Sequence, residues 1–445
     1  MGRWKPLGVL LGALFFAALL SGCMGQSAEE LYALPQQPDE YYDLQYAIDQ
    51  IRSEDASYSG PLTGSNQQAV QLADLDGDSE DEAIVFIKTT GERPLKVYIF
   101  DADEDGNYAN TGVIEGDGSA FDSVDYVEID GRSGLEILVG RQLSEQITQS
   151  LGAYSYQDGR LTELMSTNYN EYTVVDLDGD DHRDVFVLRF QTEERAAVAE
   201  LYRYVNGQME REPEVNLSPG AKQIKRIVTG HVAHGVPAVF VASEYGEDTI
   251  ITDIFAYRGT DFRNISSNAE TGLSAQTVRS YNVYATDIDY DGLIELPSPV
   301  ALPSQNSETT YWVIDWYNLM PNGRREIKMT TFHSYLNGWY LDLPESWYGQ
   351  LTVSREENED GSRDYVFSKW NGRDRAPEPV LTIHSFTGDD RLELAQSGGR
   401  FLLAEKGDTA YAASFGSCKW AEELTEEKLI AMFHFIQVDW NTGEI

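Results

Sequence analysis

Val175-Asp176-Leu177-Asp178-Gly179-Asp180-Asp181-His182-Arg183-Asp184-Val185-Phe186-Val187-Leu188 joins two unlike halves. The first half alternates carboxylates at Asp176, Asp178 and Asp180, turns at Gly179 and adds a fourth carboxylate at Asp184. The second half is a short run of β-branched and aromatic residues, the composition of a buried strand. The chain repeats this pattern. Ala73 to Phe86 carries Asp74, Asp76, Asp78 and Glu82 around Gly77, and Thr286 to Leu296 carries Asp287, Asp289, Asp291 and Glu295 beside Gly292. A worn copy runs from Val127 to Val139, with Glu128, Asp130 and Glu136 but Arg132 at the fifth position. Another, Thr229 to Val241, keeps the trailing apolar run and has lost its carboxylates.

The first motif positions are 74, 128, 176, 230 and 287, spaced by 54, 48, 54 and 57 residues. A second landmark keeps the same rhythm. Turn glycines at Asp105-Gly106, Asp158-Gly159, Asn206-Gly207, Gly259 and Asn322-Gly323 trail the motif starts by 32, 31, 31, 29 and 36 residues. Asn-Gly and Asp-Gly suit hairpin turns because they tolerate positive φ. Each unit reads as four short strands, so the expected fold is mainly β: a β-propeller of about five four-stranded blades, in which radial repetition shelters strand edges.

Four carboxylates within nine residues repel one another unless a cation lies among them. Positions 1, 3, 5 and 9, with a backbone carbonyl at position 7 (Glu80, His182 or Leu293), make a hard oxygen shell of the kind Ca²⁺ takes. Two to three calcium sites are therefore expected. The alternative reading is metal-free Asp turns whose side chains accept backbone hydrogen bonds. Asp101 to Gly106 is read as a hairpin turn, since position 9 of that run is Ala109. These loops resemble the FG-GAP and VCBS-type repeats of integrin-like propellers over roughly residues 55–330, and the resemblance implies a calcium loop between the first two strands of each blade. It also implies that the loop with Arg132 and the loop with Gly230, Val232 and His234 hold no ion.

At the N-terminus, Arg3 and Lys5 precede an apolar run from Leu7 to Leu20 and then Leu20-Ser21-Gly22-Cys23. The order is that of an export signal, too short for a comfortable membrane span. The last four residues resemble the bacterial lipobox, which implies cleavage before Cys23 and acylation of its thiol. Two or more acyl chains hold a protein on a membrane durably. The whole layout is similar to lipoproteins of Gram-positive anaerobes. The expected organisation is a signal peptide (1–22), a lipidated tether with a short helix carrying Tyr41, Leu44, Ile48 and Ile51 (23–54), the propeller (55–332) and a small α+β domain (333–445). That last domain opens with Leu343-Pro344-Glu345-Ser346-Trp347, similar to domains appended to other secreted Firmicute lipoproteins. It is expected to carry strands near 364–370, 379–386, 399–405 and 409–415 and a helix at 424–436 capped by Thr425.

The net charge is −41, with 74 acidic against 33 basic residues, which repels nucleic-acid backbones and attracts divalent cations. With Cys23 modified, Cys418 is a lone, packed thiol and no disulfide framework exists. No Gly-x-Ser-x-Gly or His-Glu-x-x-His motif is present, and His231-x-x-His234 lacks the Glu. His333, His384 and His434 stand singly, and Trp339, Trp347 and Trp370 are read as core rather than as a binding surface. The expectation is a non-enzymatic binding or scaffold lipoprotein on the extracytoplasmic face of the cell membrane. Its partner classes are cell-wall polymer, carbohydrate or a surface protein. The alternative is a carbohydrate-active hydrolase, which needs two carboxylates about 5–10 Å apart. A transporter's solute-capturing protein is disfavoured by the scarcity of helical periodicity.

Overall fold

The structure is a computed structural model. It describes residues 40–437 except 104–105, 144–148, 158, 193–194, 281–282, 306–308, 321–322 and 359–361. The signal, Cys23 and most of the tether lie outside the described residues, as do parts of the turns at 105, 158 and 322. No helix among the described residues is long and apolar enough to cross a membrane.

The chain is mainly β and folds as a succession of antiparallel sheets. The first is built from Val70–Ala73, Glu82–Lys88, Leu95–Ala102 and Tyr108–Gly116, with Ser57–Tyr58 added. The second takes Ala120–Val127, Glu136–Gln142, Gln149–Gln157 and Arg160–Tyr169. The third takes Glu171–Val175, Asp184–Arg189, Val198–Val205 and Gln208–Arg211, with Val215–Asn216. The fourth takes Ala221–Ala233, Val236–Tyr245, Ile250–Arg258 and Asp261–Asn264. In these four, successive strands pair with their neighbours in chain order.

Because side chains alternate across a strand, each sheet has two faces, and here both are buried. Ile84 and Phe86 of the first sheet pack with Ile137 and Val139 of the second. Leu138 of the second then meets Val185 and Val187 of the third. Phe186 and Leu188 meet Val239 and Val241 of the fourth, and Ala238 and Phe240 meet Leu296 and Tyr317 of the fifth. This two-sided burial is why the second strands read as unbroken apolar runs. The sheets therefore stack face to face in chain order. At one end, Leu44 and Ile48 of the helix Glu40–Ile51 cover Ala83, Val85 and Ile87. At the other, Val283, Ile288, Tyr340 and Ile436 cover Ile314 and Trp316. Among the described residues no core cluster joins the first sheet to the fifth.

The fifth sheet departs from expectation. Its order is Leu296–Ala301, Trp312–Leu319, Arg325–Ser334, Trp339–Asp342 and then Phe433–Phe435 from the far end of the chain. The expected boundary at 332/333 therefore falls inside a strand, and Trp339 opens the fourth strand of this sheet rather than a new domain. The expected helix at 424–436 spans only Glu426–Met432, where the Thr425 side chain accepts the Lys428 N–H at 3.2 Å. The residues after it extend and pair with Trp339–Leu341. A sixth sheet follows, in the order Leu351–Glu357, Arg363–Lys369, Glu378–Thr387, Thr409–Phe415, Phe401–Lys406, with a short helix at Arg391–Ala395. It shares one core with the fifth sheet, in which Trp339, Trp347 and the free thiol of Cys418 are buried.

Candidate metal loops

In the first and third sheets the Asp-rich segment is the loop between the first two strands; in the fifth it precedes the first strand, Leu296–Ala301, and is closed by the bridge of Thr286 with Glu295. In all three, the residues at positions 4 and 6 adopt positive φ: Gly77 and Ser79 (82° and 77°), Gly179 and Asp181 (76° and 70°), Tyr290 and Gly292 (60° and 86°). Two left-handed residues curl the loop, so the carboxylates at positions 1, 3 and 5 converge. One carboxylate oxygen from each of Asp74, Asp76 and Asp78 lies within 4.8 Å of the others, and the same holds for Asp176, Asp178 and Asp180 and for Asp287, Asp289 and Asp291. Oxygens sharing a Ca²⁺ at about 2.4 Å can be at most about 5 Å apart, so the three sets fit that ion.

Backbone donors organise the same carboxylates. Asp74 accepts from Gly77 N (2.7 Å) and Ser79 N (3.1 Å), Asp176 from Gly179 N (2.7 Å) and Asp181 N (3.1 Å), and Asp287 from Asp291 N (3.1 Å) and Gly292 N (2.9 Å). The position-7 N–H bonds the position-5 carboxylate in each loop: Glu80 to Asp78 at 2.8 Å, His182 to Asp180 at 3.0 Å, Leu293 to Asp291 at 2.8 Å. These are the bonds of the metal-free reading. They leave lone pairs on every carboxylate and do not neutralise the cluster. Asp76 and Asp289 are pushed up by burial and by the neighbouring loop carboxylates, and Asp178 is pushed up by burial against the opposing pull of Arg203.

Position 9 also braces the loop. Glu82, Asp184 and Glu295 are buried, and each accepts the backbone N–H of position 2: Leu75 at 2.6 Å, Leu177 at 3.0 Å, Ile288 at 3.2 Å. Burial pushes all three up to about 7. The worn second loop keeps the same tie, Glu136 to Ile129 N at 2.7 Å, although it has no acidic residue at position 5. The position-9 carboxylate is thus a brace of the loop. Only in the first loop does it also join an oxygen cluster, with Asp76 and Asp101.

Asp101 is the residue that sequence reasoning missed. It follows Phe100, which pairs with Ala83. The residues at the equivalent register are Ser155 after Tyr154 and Arg203 after Tyr202, on the third strands of their sheets, and Asn318 after Tyr317, on the second strand of the fifth. Every one reaches its own loop. Ser155 Oγ donates to Asp130 at 3.4 Å, Arg203 forms an ion pair with Asp178, and Asn318 Nδ2 donates to Glu295 at 2.6 Å. One strand position therefore sets the charge of each loop: an extra carboxylate in the first, a hydroxyl in the second, a guanidinium in the third and a neutral amide in the fifth. In the second loop Arg132 pairs with Asp130 at 3.5 Å, as its sequence position implied. The fourth copy is a tight hairpin in which Ala233 pairs with Val236, leaving His231 and His234 exposed and no acidic loop at all.

The loops touch along one rim. Leu135 N donates to Asp74 O at 3.1 Å, Arg183 N to Glu128 O at 3.3 Å and Ile294 N to His231 O at 2.9 Å. In each case position 8 of one copy bonds the start of the copy before it. In the fourth copy position 8 is Pro237, which has no N–H to give.

The histidines the sequence left scattered are all partnered. His384 Nδ1 bonds Asp364 at 2.7 Å and its Nε2 bonds Ser414 Oγ at 2.9 Å, across three adjacent strands. This has the order of a serine–histidine–aspartate relay. Ser414 lies within a strand paired to Thr382, and the three side chains bond one another across the sheet as a cross-strand tie.

No protein-family model matches the chain, and no curated protein matches it in sequence. Among solved structures, a crystal structure of a protein from Lactobacillus plantarum is matched at 10% identity over 72% of this chain and 86% of that one, with a TM-score of 0.24. A likeness at that level carries no argument about fold or function.

Proposed function

We propose that this chain is a lipid-anchored binding or scaffold protein of the extracytoplasmic membrane face, held through Cys23, with calcium stiffening its Asp-rich loops. One observation carries the reading: three loops at repeat spacing each bring three carboxylate oxygens within 4.8 Å of one another. Calcium in these loops supplies charge compensation, and the chain's own residues do the rest. Positions 1, 3 and 5 offer the oxygens, and position 9 fastens the loop to the strand behind it. The rim bonds connect one stiffened loop to its neighbour. Extracellular calcium is abundant enough for sites with Kd of about 10⁻⁴ to 10⁻³ M.

The radial, five-bladed propeller belongs to this proposal. It is supported by five meander sheets stacked in chain order, with acidic loops in the first, third and fifth. The partner classes remain cell-wall polymer, carbohydrate or surface protein. Thermal melts in calcium chloride and in EDTA test the metal reading: calcium should raise Tm and EDTA lower it. A Tm indifferent to both would remove it.

A further inference from the structure

A groove of about 870 Å³ opens between the third and fourth sheets. Its volume is within the usual range for small-ligand sites, roughly 300–1,000 Å³. Among its described lining residues are three arginines, Arg195, Arg258 and Arg263, and one acidic residue, Glu270. In a chain where acidic residues outnumber basic ones by 74 to 33, a cluster of three arginines stands out. The remaining polar lining is amide and hydroxyl, including Gln191, Asn216 and Thr271, and no aromatic ring takes part. A site without rings has nothing to stack on a neutral sugar face. Forked guanidinium donors beside amides and hydroxyls suit a ligand with anionic groups and many hydroxyls.

Two features make the groove ready to bind. Its floor is rigid: Asp253, fully buried, accepts from Ser218 N (2.8 Å), Ser218 Oγ (2.6 Å), Asn264 Nδ2 (2.8 Å) and Ser274 Oγ (2.6 Å), and Ser218 and Asn264 both belong to the lining. Its arginines are only lightly held. Arg263 pairs with Asp261 and Arg195 with Glu214, and in both pairs each side chain is 44% exposed or more. Ion pairs that open to water contribute little, so an incoming anion displaces them readily. Arg195 also shares the buried Glu200 with Arg189 and Arg211, three guanidiniums on one carboxylate.

We infer that this groove binds a polyhydroxylated anion, a saccharide or polyol chain bearing carboxylate or phosphate groups. The inference rests on reading the chain as a binding protein, but it uses none of the loop carboxylates and no metal. Calorimetric titration of the soluble mature protein in EDTA tests it. Tetragalacturonate is the carboxylate probe, poly(glycerol phosphate) the phosphate probe and maltotetraose the neutral control. At least one anionic probe should bind, more weakly as salt is raised, and maltotetraose should not. Arg258→Ala with Arg263→Ala should weaken binding tenfold or more, Arg258→Lys should weaken it less, and Lys96→Ala, remote in the first sheet, should change nothing. Absence of binding by both anions, equal binding of maltotetraose, or full affinity in the double variant overturns the assignment. Because EDTA is present throughout, failure here is separate from failure of the calcium reading, which the melts decide.

Discussion

Replacing Arg203 by Met separates the two ways the third loop can be neutralised. The guanidinium pairs with Asp178 and, at 3.1 Å, with Glu212, and both Arg203 and Asp178 are less than one-third exposed. Methionine keeps the apolar stem and removes the charge. Without calcium, Asp178 is left beside Asp176 and Asp180 with no cation. Stripping one partner from a buried pair costs about 3–5 kcal/mol, and partial exposure here reduces that to about 1–3 kcal/mol. At about 2–3 °C per kcal/mol, Tm in EDTA should fall by roughly 2–9 °C. With calcium the sign reverses. A unit charge about 5 Å from a dication is repelled by roughly 7 kcal/mol at an effective dielectric of 20. Solvent screening and the arginine's freedom to retreat to Glu212 leave about 1.5–2 kcal/mol, a ten- to thirtyfold gain in calcium affinity. If Kd moves from about 1 mM to about 0.05 mM, the stabilisation by 5 mM calcium rises from about 1 to about 2.7 kcal/mol. Differential scanning calorimetry in EDTA and in 5 mM calcium chloride should show the variant less stable in the first and recovering more in the second. A variant destabilised in EDTA with an unchanged calcium increment would refute the idea that Arg203 and the ion compete for Asp178.

Asp101→Asn removes the carboxylate that only the first loop possesses, and it should lower calcium affinity there about tenfold by titration calorimetry while leaving the fifth loop unaffected. Arg132→Ala should leave the calcium response of Tm as it is, since the second loop lacks a position-5 carboxylate and brings no three carboxylates together among the described residues. His333 is buried against Trp316 and Tyr340, and burial holds its pKa down at about 3. The unfolded chain therefore takes up the proton first, near pH 6.5. The contribution of a neutral His333 is complete above that pH and is lost as pH falls toward 3, by about 2 kcal/mol at pH 5. His333→Phe should flatten the acid limb of a denaturant-midpoint profile, and an unchanged slope would assign that limb to other groups. Cys23→Ser should move the protein from the membrane to the soluble fraction, and retention on the membrane would count against acylation.

The repeat rhythm was legible because its chemistry is local. A loop that curls needs Asp and Gly at fixed offsets, and a strand buried on both faces needs an unbroken apolar run. Even there, Tyr290 takes the left-handed position that glycine holds in the other loops, and Gly292 sits two residues later. Asp101 and Arg203 were not legible, because they meet their loops from the third strand and nothing near them in sequence marks the encounter. The bracing role of position 9 was not legible, because a buried carboxylate bracing a backbone N–H uses the same residue types as one binding a cation. The Phe433–Phe435 strand was hidden for a related reason: Phe433 and Phe435 after a helix read as its continuation, and only the open edge of Trp339–Asp342 tells the chain to extend. Likewise His384 looked solitary because Asp364 and Ser414 reach it across strand pairing rather than along the sequence.

The most direct measurement is anomalous diffraction from crystals grown in millimolar calcium chloride. The account predicts ion-strength peaks among Asp74, Asp76, Asp78 and Asp101 and among Asp287, Asp289 and Asp291, with none in the Arg132 loop. Solvent-level density among those oxygens would contradict it.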